Sequence, residues 1–284
     1  NDSYPQYMGG DKRVAITLAK EWTQCGHNAF FLCYSPSLLR KSEVDGIEQL
    51  FFPDNNHLFS DRNLSFFRKT IMERKVQIVL HQHPKVPEFN RMCFSLNTSA
   101  KLVSVVHFDI AHEEKVLARS FFVKMRNGRN IKRWVIDGFL YVKYLLFAKR
   151  KLYNELVRLY TDIYDHSDCV ASLSSSYIDS FINYVPYATK RKLLSLNNPM
   201  KSINYLPTIP KEKIVLWVGR LGYDMKRLDY MLKIWMEINK SHPDWQLKIL
   251  GSGDWNYWKR IIAQYHIKNA DVVGFCNPTE YYAK

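Results

Sequence analysis

The sequence predicts an α/β protein with two doubly wound regions, each a parallel sheet with helices on both faces. Three observations carry this. Apolar runs of strand length alternate with longer segments in which apolar residues recur every three to four positions. Those strand runs are apolar almost throughout, as in strands buried on both faces. A polar stretch, residues 201–211, is punctuated by Pro207 and Pro210 and reads as a linker. Ligands in such folds sit at strand carboxyl ends, so two domains facing a cleft are expected. The boundaries read as 1–195, a linker over 196–212, and 213–284.

The elements follow in order. Residues 1–10 are a polar, glycine-bearing loop. A helix spans Asp11 to Cys25, with Val14, Leu18 and Trp22 on one face and Gly26 as its stop. Ala29 to Tyr34 reads as a strand, and the chain then reads as loop to about Ser60. A helix near Asp61 to Lys75 leads to a strand, Val76 to Leu80. A looser region precedes a buried strand, Leu102 to His107. Glu113 to Arg158 is helical in pattern and basic. Val170 to Leu173 is a short strand, Ser176 to Tyr184 a helix, and Leu193 to Leu196 a weak strand. Past the linker come strand 214–218, a helix from Arg227 to Lys240, strand Trp245 to Leu250 and helix 255–266. Strand Asp271 to Gly274 and a helix from Glu280 complete the pattern.

Over 284 residues there are 41 Lys and Arg against 27 Asp and Glu, a formal charge of +14. That balance admits nucleic acid, an anionic membrane surface or phosphorylated small molecules as partners. The 46% hydrophobic content excludes a disordered chain. Five cysteines are scattered without a CxxC pair, which argues against zinc-ribbon and thioredoxin readings and suits a reducing cytosol. The nearest approach to a membrane span, Trp134 to Ala148, is broken by Asp137 and Lys143. Asp162, Asp165 and Asp168 read as solvated helix and cap residues. His81 and His83 have a metal-like spacing, but no carboxylate or cysteine joins them nearby, so packing or a loop role is the better reading.

The most informative stretch is Ile214 to Lys226, IVLWVGRLGYDMK. An apolar strand ends in Gly219-Arg220, a loop with Gly222 follows, and Lys226 opens a long helix. Gly219 lets a ligand approach the backbone. Arg220 offers a planar fork to phosphate oxygens, and Lys226 a point charge near a helix N-terminus. Together they describe a diphosphate site, against the plainer alternative of solvated charges after a core strand.

With those residues in view, the segment IVLWVGRLGYDMKRLDYMLKIWMEINKSHPDWQLKILGSGDW resembles the donor-binding half of retaining glycosyltransferases of family four. The resemblance extends to Val272-Val273-Gly274-Phe275 with Asn277-Pro278, to the opening YMGGDKRVAITLAKEWTQCGHNAFFLC, to the strand ending in His107, and to LSLNNPM at the domain junction. It implies the GT-B architecture: two Rossmann-like domains, with the acceptor in the N-terminal one and the nucleotide-sugar in the C-terminal one. It implies no obligatory metal and no cofactor, and no DxD carboxylate pair is present. Arg220 and Lys226 match the family's diphosphate-binding pair. Gly9 and Gly10 match its N-terminal glycine loop, although an ordinary turn before a helix explains them too. His107 matches the histidine that contacts the donor sugar, where a lone strand-end histidine is otherwise structural. Gly219, Gly251, Gly253 and Phe275 fall where the donor would be lined, the GSG loop being equally well a strand-to-helix turn.

Two departures stand out. The strand expected before Gly9 is absent, and the family's E-x7-E segment would fall beyond Lys284. The resemblance therefore implies a fragment with a truncated C-terminal domain that is expected to lack transferase activity on its own. The implied function is transfer of a sugar from a nucleotide-sugar to a glycan or lipid-linked acceptor with retention, in the cytoplasm or at the inner face of the membrane. A GT-B nucleotide-sugar epimerase and a basic nucleic-acid-binding protein are the alternatives. Against the last, no helix-turn-helix, RNP pattern or zinc site is found. The basic, aromatic stretch from Lys115 to Arg158 fits either an acceptor-side surface on anionic lipid, with Lys124, Arg126, Lys132 and Arg133 as its patch, or a core-packed helix pair with a solvated basic face.

Overall fold

The computed structural model describes residues 10–34, 41–111, 131–199, 211–221 and 226–282. The chain forms two compact units, Asn1–Glu114 with Phe147–Lys201 and Lys115–Leu146 with Ser202–Lys284.

In the first unit, helix α1 (Gly10–Gln24) leads to β1 (Phe30–Cys33). The stretch read as loop is instead a hairpin, β2 (Glu43–Val44) and β3 (Ile47–Phe51), with β3 parallel to β1. Its turn is Asp45-Gly46, at φ +50° and +79°. Asp-Gly is the strongest short hairpin signal, because both central residues of that turn need positive φ. Helix α2 (Asp61–Glu73) starts where the Ser60 side chain accepts from Asn63 N–H. Asn63 is buried and ties the preceding loop together: its side-chain amide donates to the carbonyls of Asp54, His57 and Leu58. Arg74 clamps Glu48 of β3 with two hydrogen bonds, 2.5 and 2.8 Å, and holds that carboxyl below its usual range.

β4 (Ile78–His81) is followed by helix α3 (Pro87–Phe94), where the sequence predicts only a looser region. Proline at its first position and only eight residues gave little periodicity to read. β5 (Lys101–Val106) comes next. Later in the chain come helix α4 (Ile131–Lys143), which belongs to the second unit, a π-helical turn Tyr144–Ala148, and α5 (Lys149–His166) of the first. The patch expected from Lys124, Arg126, Lys132 and Arg133 falls on residues, or side chains, outside those described. β6 (Cys169–Ser172), α6 (Ser175–Tyr184) and β7 (Leu193–Ser195) complete the N-terminal half. β4-β5-β6-β7 form one all-parallel sheet, separate from β1-β3-β2.

Two clusters hold this unit. Phe52, Phe67, Ile71 and Met92 pack around Leu102, and Tyr160, Ile163, Val170 and Phe181 pack with Val106. The two ends of β5 thus enter different cores. Asp168 is not merely solvated. Its carboxylate accepts from Lys101 Nζ and Leu102 N–H, each at 2.9 Å, and locks β6 to β5. Asp165 accepts from the Tyr187 hydroxyl at 2.8 Å.

The second unit carries a parallel sheet ordered β10-β9-β8, built from β8 (Ile214–Val218), β9 (Gln246–Leu250) and β10 (Ala270–Gly274). Besides α4, its described helices are α7 (Leu228–Ser241), α8 (Trp255–Gln264) and α9 (Thr279–Tyr282). Trp235, Trp258, Leu228, Leu247 and Ile249 form its core. Among the described residues no helix is long and apolar enough to cross a membrane.

Candidate active site

All three strands of the second sheet run out into glycine: Gly219 follows β8, Gly251 follows β9 and Gly274 closes β10. Backbone pairing continues past the strand ends. Gly219 N–H donates to Leu250 C=O at 3.0 Å, Gly251 N–H to Gly274 C=O at 2.8 Å, and Leu221 N–H to Ser252 C=O at 2.8 Å. A Cβ on Gly251 would stand 1.7 Å from the Gly219 carbonyl oxygen, and one on Gly253 2.8 Å from Leu221 Cβ. Both glycines have positive φ, +152° and +139°. Their immediate role is to let two loops lie backbone against backbone. The result is a carboxyl-end rim with little side-chain bulk.

Arg220 is the residue this rim presents. Its neighbour Leu221 is buried in the core, and the Trp258 indole N–H donates to the Leu221 carbonyl at 3.4 Å. With both flanks pinned, the Arg220 side chain goes to solvent. Lys226 is also exposed, and its Cγ would be 3.1 Å from a Cβ placed on Gly219. Among the described residues neither cation makes a side-chain hydrogen bond or ion pair. Two uncommitted positive charges therefore border one glycine at a strand end. Residues 222–225, Gly222 included, lie outside the described residues.

Arg227 is different. It chelates Asp229 through Nε and Nη2, at 2.9 and 2.8 Å, and its guanidinium lies 3.7 Å from the Tyr230 ring centroid. It precedes α7 at φ +48°, ψ +48°, a left-handed conformation costing roughly 1–2 kcal/mol in a non-glycine residue. Of the adjacent cations, one is held by a carboxylate and the other is open to an anion.

Phe275 follows Gly274 and is half exposed. Trp255 lies beside it on the rim. The Trp255 indole N–H donates to Gly251 C=O at 2.8 Å, and its ring would be 3.5 Å from a Cβ on Gly274. Trp255 is not among the donor-lining residues expected from the sequence, although an aromatic residue directly after the GSG-Asp turn is a local signal for it. A flat aromatic face beside a glycine-lined rim can stack on a nucleobase.

In the first unit, His107 follows β5 and Gln82 follows β4, the neighbouring strand. His107 Nε2 and Gln82 Oε1 are 2.7 Å apart, which makes the Nε2–H form of the imidazole the donor. His81, one residue earlier, is buried and bonded to Asn90 Oδ1 at 2.8 Å. Burial pulls its pKa down to about 4, so it is neutral at physiological pH. His83 lies against Phe89, ring centroids 5.9 Å apart. The His81–His83 spacing is that of one packed and one exposed side chain on a strand end. Gly10 is the first residue of α1, and Gly9 lies outside the described residues.

Residues 202–284 match the family model described as Glycosyl transferases group 1. The whole second sheet falls inside that match. Over 65 residues the chain is 40% identical to an uncharacterized glycosyltransferase of Haemophilus influenzae, a match covering 20% of this chain and 18% of that protein. Among solved structures, the chain is similar to the apo form of the lipopolysaccharide outer core galactosyltransferase WaaB, with a TM-score of 0.58 at 13% identity. That superposition covers 98% of this chain and 68% of WaaB. S. aureus TarM, solved with UDP, superposes with a TM-score of 0.47 at 14% identity, over 76% of this chain and 37% of TarM. The chain thus spans well under half the length of some relatives it matches. The fold is α/β of the GT-B type, built from Rossmann-like parallel sheets.

Proposed function

We propose that this chain belongs to a glycosyltransferase that moves a sugar from a nucleotide-sugar donor to a glycan or lipid-linked acceptor, with retention at the anomeric carbon. The observation that carries the reading is the pair Arg220 and Lys226. Both are exposed and uncommitted, both border Gly219 at a strand carboxyl end, and both lie inside the segment matching the glycosyltransferase family.

The chemistry follows from charge. As the glycosidic bond to the donor phosphate breaks, the nucleoside diphosphate gains negative charge. A guanidinium fork and an ammonium that meet it there are worth more in the transition state than in the ground state. No metal ion and no cofactor enters this scheme. The leaving phosphate assists attack on the same face of the sugar, which retains its configuration. Trp255 and Phe275 offer stacking faces for the base. His107 is proposed to touch the donor sugar, its ring oriented by Gln82. A lipid-linked acceptor would place the reaction at the inner face of the membrane.

The test is transfer by the full-length protein with Arg220→Ala and Lys226→Ala, alongside donor binding by calorimetry. Loss of transfer in both variants, with the fold retained, supports the site. Turnover close to wild type in both would show that the diphosphate binds elsewhere. Release of epimerised free nucleotide-sugar without acceptor would replace transfer by epimerisation.

A further inference from the structure

Gln82 carries a hydrogen-bond donor that no described residue answers. Its Oε1 lies 2.7 Å from His107 Nε2, which fixes one end of the amide. Its Nε2 is buried and makes no hydrogen bond. Among the described residues one other buried side-chain nitrogen shares that condition, Nδ2 of Asn239 in the last turn of α7. A buried N–H without an acceptor gives up its hydration for nothing, so such a group in a folded protein calls for a physical reason. Gln82 has one that Asn239 lacks, which is its place in the sheet. His81 pairs with Ser104, so Gln82 and His107 stand just past the carboxyl ends of adjacent parallel strands. That is the end at which α/β sheets bind ligands.

The loop that carries Gln82 is held still. Asn90 of α3 bonds His81 Nε2 through Oδ1 and donates from Nδ2 to the Pro84 carbonyl, both at 2.8 Å. Val86 N–H closes the same loop on the His83 carbonyl at 3.0 Å. The loops leaving β4 and β5 also meet, with Lys85 Nζ 4.5 Å from the Phe108 ring centroid. Gln82 is thus anchored on its own loop by α3 and across the sheet by His107. Its N–H cannot turn to water without giving up the His107 bond. A donor fixed in this way is preorganised for an acceptor that arrives from outside. That donor is uncharged and buried, which suits an uncharged oxygen. A phosphate or carboxylate brought there would lose more hydration than one amide returns. A sugar hydroxyl meets the requirement, and amide side chains are among the few polar groups that orient a ligand in a pocket.

We infer that Gln82 is a sugar-recognition residue: its Nε2–H donates to a hydroxyl oxygen of a hexose bound at the carboxyl end of the β4-β5-β6-β7 sheet. This role rests on the glycosyltransferase reading and adds to it. One end of the amide orients His107, and the other end reads the ligand. Because the buried donor goes unanswered when the hydroxyl is missing, Gln82 selects against the corresponding deoxy sugar. The hydroxyl belongs either to the sugar being transferred or to the sugar that accepts it, and the same amide chemistry serves both.

The test follows the side-chain NH2 signals of Gln82 in the full-length protein by amide-detected NMR, assigned by their loss in Gln82→Met. Methyl glycosides of glucose, galactose, mannose and N-acetylglucosamine are added in turn. UDP-glucose, UDP-galactose, UDP-N-acetylglucosamine and GDP-mannose follow, with UDP and GDP as controls. The signals should move with a glycoside or a nucleotide-sugar and stay in place with the nucleotides alone. A response to a glycoside without nucleotide assigns the hydroxyl to the acceptor, and a response that needs the nucleotide-sugar assigns it to the donor. By calorimetry, Gln82→Met should weaken binding of that sugar about tenfold, the scale of one hydrogen bond to a buried partner. Its denaturant midpoint without sugar should not fall, because methionine takes the unanswered donor out of the interior. Signals unmoved by every sugar would overturn the inference, and an amide that merely holds a water molecule gives that result. Nucleotide binding in that case would leave the diphosphate site standing. A lower midpoint in Gln82→Met with sugar binding unchanged would make the residue structural and overturn the inference as well. Failure of UDP and GDP to bind counts against the diphosphate site, while the glycosides still decide for Gln82.

Discussion

At the scale of single residues, the site turns on which charges are already satisfied. Arg220 and Lys226 have no partner among the described residues, whereas Arg227 is held by Asp229. Arg220→Ala and Lys226→Ala should each cut transfer by on the order of 10²–10³-fold, the scale for removing one charge-stabilising donor. Arg227→Ala should act mainly on stability, by releasing Asp229 and the start of α7, and leave donor affinity nearly unchanged. Calorimetric titration of the three variants with nucleoside diphosphate separates these outcomes. The glycines divide in the same way. Gly251→Ala meets backbone at 1.7 Å, while Gly46 has positive φ but open space around it. Gly46→Ala should therefore cost about 1 kcal/mol of backbone strain. Gly251→Ala should cost distinctly more and displace Arg220 with it. Urea unfolding of both variants checks the order.

At the scale of elements, the end of β4 holds a titratable group in the core. His81 is buried against Asn90, and its pKa falls from 6.5 to about 4 because burial penalises the imidazolium. The unfolded chain protonates this histidine near pH 6.5, and the folded one does so only near pH 4. Its contribution to stability is thus intact above pH 6.5 and is lost as pH falls towards 4. The slope is about 1.4 kcal/mol per pH unit for one proton, so the loss reaches roughly 3 kcal/mol across the window. Carboxylates such as Asp168, lowered by Lys101 and the Leu102 N–H, add acid sensitivity at lower pH. His81→Gln should flatten the stability profile between pH 6.5 and 4, as measured by denaturant midpoints. An unchanged slope would place the proton uptake on another group. The remaining core thiol of this region, Cys93, is pushed up to about 12 by burial and stays protonated throughout.

For the whole molecule, the two units make separable predictions. The second carries Gly219, Arg220, Lys226 and the aromatic rim, and the first carries His107 and Gln82. Nucleoside diphosphate without sugar should therefore slow amide exchange at the ends of β8, β9 and β10 while leaving β4 and β5 unprotected. At one hundred times its dissociation constant it should stabilise the unit it binds by about 2.7 kcal/mol. Protection confined to β4 and β5 would move the diphosphate site to the first unit. The charge of +14 adds a long-range attraction for such anions that salt should weaken.

The second sheet was legible in the sequence because β8 is a continuous apolar run, β9 and β10 are mostly apolar, and each meets a glycine at its carboxyl end, a pattern that local chemistry alone produces. The same holds for the cations Arg220 and Lys226, whose positions after a strand and before a helix depend on chain order. The β2–β3 hairpin was equally present as Asp45-Gly46, but its strands are only two and five residues long, and the parallel pairing of β3 with β1 is a long-range contact. Helix α3 was too short for its period to show. Other features have no local signature. That Arg227 is neutralised while Lys226 is open depends on one side-chain conformation. That Gly251 faces the Gly219 carbonyl depends on how two loops meet. Above all, Val135, Phe139 and Val142 of α4 are as apolar as core residues yet exposed, and sequence cannot distinguish side chains packed on a core from ones left open. Only tertiary packing decides that, because burial is a property of what lies opposite a side chain and not of the side chain itself.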